Sequence, residues 1–174
     1  MSLSDDRVKC LLEDRTGTLW IGTWNGLNQL VLESVAANRN GDQARNRHAY
    51  KFIHYYHHPA NPYSISSNQV YSMCKDSSGN LWIGTFGGGL NRYDRRTDRF
   101  TAYRHDIRNP KSLGNDNVLT VYADKKGAVW VGTNGGGLNR YDPNTDGFIH
   151  YRQDRKSTRL NSSHIQKSRM PSSA

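Results

Sequence analysis

The sequence predicts an all-β protein: a β-propeller fragment of about three four-stranded blades belonging to a larger ring. Three observations carry that prediction. A Trp-Ile/Val-Gly-Thr unit occurs at Trp20–Thr23, Trp82–Thr85 and Trp130–Thr133. Trp82 and Trp130 lie 48 residues apart, as do Phe100 and Phe148, and Tyr103 and Tyr151. A fixed period of this size marks stacked supersecondary units. Finally, no stretch of the repeat shows the helical periodicity that a βα solenoid would need.

The second copy shows the elements in order. Val70–Asp76 is rich in β-formers and stops at the turn cluster Ser77-Ser78-Gly79. Leu81–Thr85 is a short apolar strand, and Phe86-Gly87-Gly88-Gly89 supplies the positive φ of a tight hairpin. Leu90–Tyr93 is a third strand, followed by the polar turn Asp94–Asp98. Phe100–Arg104 is the fourth, with Phe100 and Tyr103 on opposite faces. Residues 106–117, with Asn109-Pro110 inside, connect to the next copy. Four short strands per repeat is the pattern of a propeller blade.

This divides the chain into a first blade at 1–69, a second at 70–117 and an incomplete third at 118–153. Trp20, Trp82 and Trp130 are expected to fill the space between blades, and Gly22, Gly84 and Gly132 to allow close packing at the strand end. The first blade departs from the others. Its hairpin, Trp24-Asn25-Gly26, is one residue shorter, and an insertion at 31–50 reads by composition as a solvated loop between its third and fourth strands.

Both ends of the chain are unusual. Ser2-Leu3 stands six residues before Val8, as Ser64-Ile65 does before Val70, so Met1 is expected to fall inside an inter-blade connection. No signal peptide and no stretch of transmembrane length is visible. Residues 154–174 leave the repeat, resemble an in-frame translation of a short-read sequencing adapter, and are expected to be a non-native, disordered tail. That tail contributes +4 of the formal net charge of +9. The remaining charge is modest and spread over turns, which gives no argument for nucleic acid as a partner.

Little here points to catalysis. Gly87-Gly88-Gly89 and Gly135-Gly136-Gly137 lead into strands without the Gly-Lys-Ser/Thr of a phosphate loop. Asp142–Gly147 matches the first half of a calcium loop, but Gln153 stands where the bidentate Glu would be. His54, His57 and His58 cluster without a partner Cys or carboxylate at ligand spacing. Cys10 and Cys74 sit at non-equivalent strand positions and read as packing residues. No metal, no cofactor and no enzymatic activity of this chain is expected.

The pattern Val-x5-Asp-x2-Gly-x-Leu-Trp-Ile-Gly-Thr-x-Gly-Gly-Gly-Leu-Asn-Arg-Tyr-Asp, with Phe-x2-Tyr and Asn-Pro-x-Ser-Leu after it, resembles the two-component regulator propeller repeat. The resemblance covers nearly all of residues 1–153. It implies an extracytoplasmic sensor region of a hybrid two-component histidine kinase, whose periplasmic part is built on seven-bladed propellers and whose parent chain sits in the inner membrane. It further implies detection of an oligosaccharide or other small ligand, signalling to transcription, and as partners the remaining blades, downstream sensor domains and a second copy of the parent. The alternatives are a propeller enzyme of sialidase or lyase type and a protein-interaction propeller. Against a sialidase, the Asp76-x-x-Gly79-x-x-Trp82 spacing is one residue longer than an Asp-box.

Blade topology places a candidate ligand face where the second-to-third-strand turns and the inter-blade connections meet. The turns bring Trp24, Asn25, Phe86 and Asn134, and the connections bring Asn61, Tyr63, Asn109 and Lys111. Exposed aromatics there can stack on a sugar ring while amides bond its hydroxyls.

Overall fold

The computed structural model describes residues 2–34 and 48–153. Twelve strands form among them: β1 (Val8–Glu13), β2 (Leu19–Thr23), β3 (Gly26–Ser34), β4 (His48–Tyr55), β5 (Val70–Lys75), β6 (Leu81–Thr85), β7 (Gly89–Asp94), β8 (Arg99–Tyr103), β9 (Val118–Ala123), β10 (Val129–Thr133), β11 (Gly137–Asp142) and β12 (Gly147–Tyr151). They make three antiparallel four-stranded sheets, each in simple sequence order. First strands of neighbouring sheets lie against one another, β1 beside β5 and β5 beside β9. This puts β1, β5 and β9 at the inner edge and β4, β8 and β12 outermost. The all-β propeller architecture is as predicted.

The second sheet is apolar on both faces because it has a neighbour on each side. Trp20, Val70, Met73, Ile83, Tyr93 and Phe100 belong to one core cluster, shared with the first sheet. Cys74, Trp82, Leu90, Tyr103, Val118 and Val121 belong to the other, shared with the third. Phe100 and Tyr103 thus enter opposite cores, as alternation along the strand requires.

Each interface is fitted by a missing side chain. A Cβ on Gly22 would lie 2.6 Å from Val70 Cγ1, and one on Gly84 would lie 2.5 Å from Val118 Cγ1 and 2.9 Å from Val121 Cγ2. The glycine of each Trp-Ile-Gly-Thr unit is therefore a socket for the valine that opens the next sheet. On the outer faces no further described sheet completes this pattern. Val8 and Leu11 are exposed on the first sheet, and Leu138, Tyr122 and Tyr151 on the third.

Two polar residues of the repeat hold its backbone. The first is the aspartate after the first strand. Asp14, Asp76 and Asp124 each accept the indole N–H of their own tryptophan, from Trp20 at 3.2 Å, Trp82 at 2.8 Å and Trp130 at 2.9 Å. The other carboxylate oxygen accepts backbone N–H groups of the intervening turn, such as Thr16, Asn80 and Ala128. The second is the asparagine of β3, β7 and β11. Asn28, Asn91 and Asn139 are fully buried and accept the backbone N–H of Ser4, Ser66 and Gly114, fixing the connection that leads into each sheet.

Asp14 and Asp124 make stability depend on pH. Burial pushes the Asp14 carboxyl up, but hydrogen bonds from Thr16, Trp20 and Thr18 outweigh it and hold the group at about 2. The Trp130 indole, then the Ala128 and Lys126 amides, hold Asp124 below the usual range. A carboxyl whose folded pKa lies below its unfolded value of about 4 stabilises the fold above that pH. The contribution is lost as pH falls through the folded pKa. Thermal unfolding followed across pH should show Tm falling steeply between roughly pH 4 and pH 2. A Tm constant over that window would contradict this role for Asp14 and Asp124.

The first sheet differs from the sequence expectation in one respect. Residues 31–34 and 48–50 are not loop but an extension of the β3–β4 hairpin, with Val31, Leu32, Glu33 and Ser34 paired to Lys51, Tyr50, Ala49 and His48. Val31, Leu32 and Tyr50 are good β-formers, and a hairpin already in register extends as far as such residues allow. The rest of the insertion and the tail from 154 lie outside the described residues.

Candidate functional site

Each sheet carries a β-bulge at the same place on its first strand. Val8 pairs with Thr23 and Cys10 with Gly22, leaving Lys9 without a partner position. Tyr71 is left out in the same way between Val70 and Ser72, and Leu119 between Val118 and Thr120. A bulge re-aims the side chain of its extra residue and bends the strand. Here it turns Lys9 and Tyr71 towards the turns between second and third strands.

Those turns carry Trp24, Phe86 and Asn134. Their backbones are fastened to the starts of the first strands: Trp24 N donates to Arg7 O, Phe86 N to Gln69 O and Asn134 N to Asn117 O. Bulge and turn residues consequently meet. The Trp24 and Tyr71 ring centroids are 5.7 Å apart, and Tyr71 stacks on Phe86 at 5.5 Å with 26° between the planes. Lys9 Nζ stands 4.8 Å above the Trp24 ring and 5.5 Å from that of Tyr71, and Arg7 Cζ is 5.6 Å from Trp24. Arg7 is also paired with Asp5 at 2.8 Å. The result is a half-exposed aromatic row with cationic groups at one end, and the exposed Leu119 and Asn134 hold the corresponding bulge and turn positions on the third sheet.

The predicted residues divide between two places. Trp24, Asn25, Phe86 and Asn134 lie on the turn face, where Asn25 Oδ1 accepts an N–H from the Asn68 carboxamide. Asn61, Tyr63, Asn109 and Lys111 are not brought to the row. Their half of each connection runs along the outer edge of the next sheet, with Phe100 N donating to Tyr63 O and Phe148 N to Lys111 O. Asn61 and Asn109 spend their side-chain carbonyls on the local turn, accepting from Tyr63 N and Lys111 N, each at 3.0 Å. The Tyr63 ring is covered by Arg99, whose Cζ is 4.3 Å from its centroid. These residues cap a sheet edge, which needs closing in any open sheet.

Tyr71, Lys9 and Leu119 are the site residues that the sequence reading missed. A signal was present. Val70 and Met73 are three apart yet both apolar, as are Val118 and Val121, and an odd separation on one face of a strand requires an extra residue between them.

The remaining polar candidates have protein partners. His57 and His105 hold the connections, donating from Nδ1 to the carbonyls of Ile65 and Leu113 at 2.9 and 2.8 Å. His54 Nδ1 lies 2.8 Å from the Asn28 carboxamide oxygen. In the calcium-like turn, Asp142 accepts from Asn144 N and Thr145 Oγ1, and Asp146 accepts both Tyr103 and Tyr141 hydroxyls. No group of three His, Cys, Asp or Glu among the described residues can hold a metal ion. Burial pushes the Cys10 and Cys74 thiols up to about 12, so both stay protonated and unreactive at neutral pH.

Comparison with known proteins gives a consistent picture. Residues 2–25, 64–87 and 112–135 match the family model described as the two component regulator propeller. Each matched stretch runs from the connection through the bulge to the turn face. The chain is similar over 90% of its length to the extracellular domain of a hybrid two component system from B. thetaiotaomicron, with 28% identity and a TM-score of 0.70. It covers 19% of that domain's chain. It also resembles virginiamycin B lyase from Staphylococcus aureus, with 14% identity, a TM-score of 0.57, and 89% and 44% of the two chains covered. A third likeness is to PorZ, a surface component of the type-IX secretion system of Porphyromonas gingivalis, with 16% identity, a TM-score of 0.55, and 83% and 21% covered. At those identities the last two show the fold alone. No curated protein matches the chain.

Proposed function

From the premise that the chain carries three two-component regulator propeller repeats, we propose that it is part of the ligand-sensing propeller of a hybrid two-component system. Its ligand is an oligosaccharide that docks on the row formed by Trp24, Tyr71 and Phe86. The parent protein lies in the inner membrane with this region in the periplasm. It signals to transcription through a histidine kinase elsewhere in the chain, and it pairs with a second copy of itself and with the remaining blades. In this reading the chain binds and does not catalyse.

One observation carries the proposal. The framework residues of the three repeats are the same, but the bulge and turn positions are not: Lys9 and Trp24, Tyr71 and Phe86, Leu119 and Asn134. Bulge and turn together bring Trp24, Tyr71 and Phe86 into one row of half-exposed aromatic faces. Half-exposed aromatic faces suit the apolar side of a pyranose ring, and the adjoining amides and Lys9 suit its hydroxyls.

Titration with a panel of plant and host oligosaccharides, read by tryptophan fluorescence and calorimetry, tests this. A saturable ligand should lose roughly tenfold or more in affinity with Trp24→Ala or Tyr71→Ala, each of which removes about 1.5 kcal/mol or more of contact. Saturable binding unaffected by both variants would move the site elsewhere. No saturable ligand in the panel would end the saccharide reading.

A further inference from the structure

The two interfaces between sheets differ at the end opposite the turn face. Between the first and second sheets the cleft is divided into pockets of about 230 and 340 Å³, and Arg95 from the β7–β8 turn reaches into the smaller. Its Nη2 pairs with Asp14 at 2.7 Å, and the guanidinium also donates to Thr16 and Thr18. Between the second and third sheets the cleft opens to about 550 Å³. Pro143 occupies the position of Arg95, one residue after the strand-ending aspartate, and cannot reach across.

A second exchange accompanies the first. The residue paired with the blade tryptophan on the third strand is Gln29 in the first sheet but Arg92 in the second. Arg92 is half-buried, with Cζ 5.7 Å from the Trp82 ring and 5.8 Å from that of Tyr103. Its hydrogen bond is to the neutral Tyr141 hydroxyl at 3.2 Å, and among the described residues no carboxylate pairs with it.

The charges lining the larger cleft are therefore unequally committed. Asp76 already accepts Asn80 N, Asn80 Nδ2 and Trp82 Nε1, so the Asn80 carboxamide does at Asp76 what Arg95 does at Asp14. Asp142 accepts from Asn144 N and Thr145 Oγ1. Both carboxylates are held by internal donors, whereas the Arg92 guanidinium keeps spare N–H donors and the exposed Lys126 ammonium has no ion-pair partner among the described residues. Arg92 meets a counter-charge, Asp146, through the Tyr141 hydroxyl that lies between them, and its remaining N–H donors are free to take an anion brought to the cleft. The Ser77 and Ser78 hydroxyls beside them can take hydroxyl groups of the same ligand.

We propose that this cleft is a second binding site, specific for an anionic group on a hydroxylated ligand: a carboxylate or sulfate recognised by Arg92 and Lys126. It rests on the saccharide-sensing reading only for the biological source of such a ligand, an acidic sugar unit. The site itself lies away from the aromatic row and is tested separately.

The test uses the full chain at low salt and three probes: galacturonate, inorganic sulfate and neutral galactose. The readouts are calorimetry and the NMR shift of the Trp82 indole N–H, which is bonded at the cleft wall. Galacturonate or sulfate should bind saturably and move the Trp82 signal, while galactose should not. Response to galacturonate alone identifies a carboxylate as the source, and response to sulfate alone a sulfate ester. Arg92→Gln installs the residue of the first repeat, so the fold should be kept, and affinity should fall roughly tenfold or more. Lys126→Ser, which copies Ser78, should weaken binding roughly threefold. Tyr71→Ala should leave it unchanged.

Absence of saturable binding by both anions would overturn the proposal, as would an equal Trp82 shift with galactose or affinity unchanged in Arg92→Gln. Affinity lost in Tyr71→Ala but kept in Arg92→Gln would put the anion on the aromatic row, refuting this site and leaving the sensing reading intact.

Discussion

Replacing Trp82 with alanine should lower the unfolding free energy by about 3–5 kcal/mol, the range for deleting a large buried aromatic. Trp82 is 1% exposed and is the centre of the interface between the second and third sheets. Its ring meets Tyr141 at 4.7 Å and Tyr103 at 5.7 Å, and its indole N–H is the donor that Asp76 accepts. Alanine would leave a cavity between two sheets that cannot collapse without shifting both, and would strip the carboxylate of a donor. The same change at Trp130 should cost only about 1–2 kcal/mol, because that ring is half-exposed and has one ring neighbour, Tyr151. Urea denaturation followed by far-UV circular dichroism distinguishes the two. Equal losses would mean that the tryptophan acts within its own sheet and not between sheets.

Gly84→Ala should lower the unfolding free energy by about 1–3 kcal/mol through overpacking. The new Cβ would press on two valines of the neighbouring sheet, both of which are buried and β-branched, with little rotamer freedom to retreat. Gly132→Ala is the control. The one side chain its Cβ approaches is Thr120, exposed and on the same sheet, so it should cost well under half as much. Comparable losses at Gly84 and Gly132 in thermal unfolding would refute the socket as the source of the effect.

Much of the fold was legible because the repeat states it three times. Alternation in Phe100–Arg104 put Phe100 and Tyr103 on opposite faces, and both prove buried because the sheet has two neighbours. The polar framework was harder to read. Asp76 ends the predicted first strand and Asn91 falls within the third, and nothing local in either residue says that one binds an indole six positions on and the other a connection 25 residues back. The candidate site was half legible. Trp24, Asn25, Phe86 and Asn134 follow from turn position alone. Tyr71 depends on a bulge, which a strict two-residue period hides. Asn61, Tyr63, Asn109 and Lys111 were grouped with the turn face because a connection was treated as one place. It is two, an outer half that closes a sheet edge and an inner half that meets the turns.

The socket-and-valine fit has a consequence for symmetry. Every sheet offers a glycine hollow on one side and a valine on the other, so joining is directional, like a key and lock carried on opposite ends of one object. Val8 and Leu11 present the key side and Gly132 with Leu138 the lock side. Two identical copies related by a dyad passing through one such face would set key against key, which leaves both hollows empty. An assembly made through these faces is therefore heterologous: it turns the same way at each step, and it either closes as a cycle or continues as a helix.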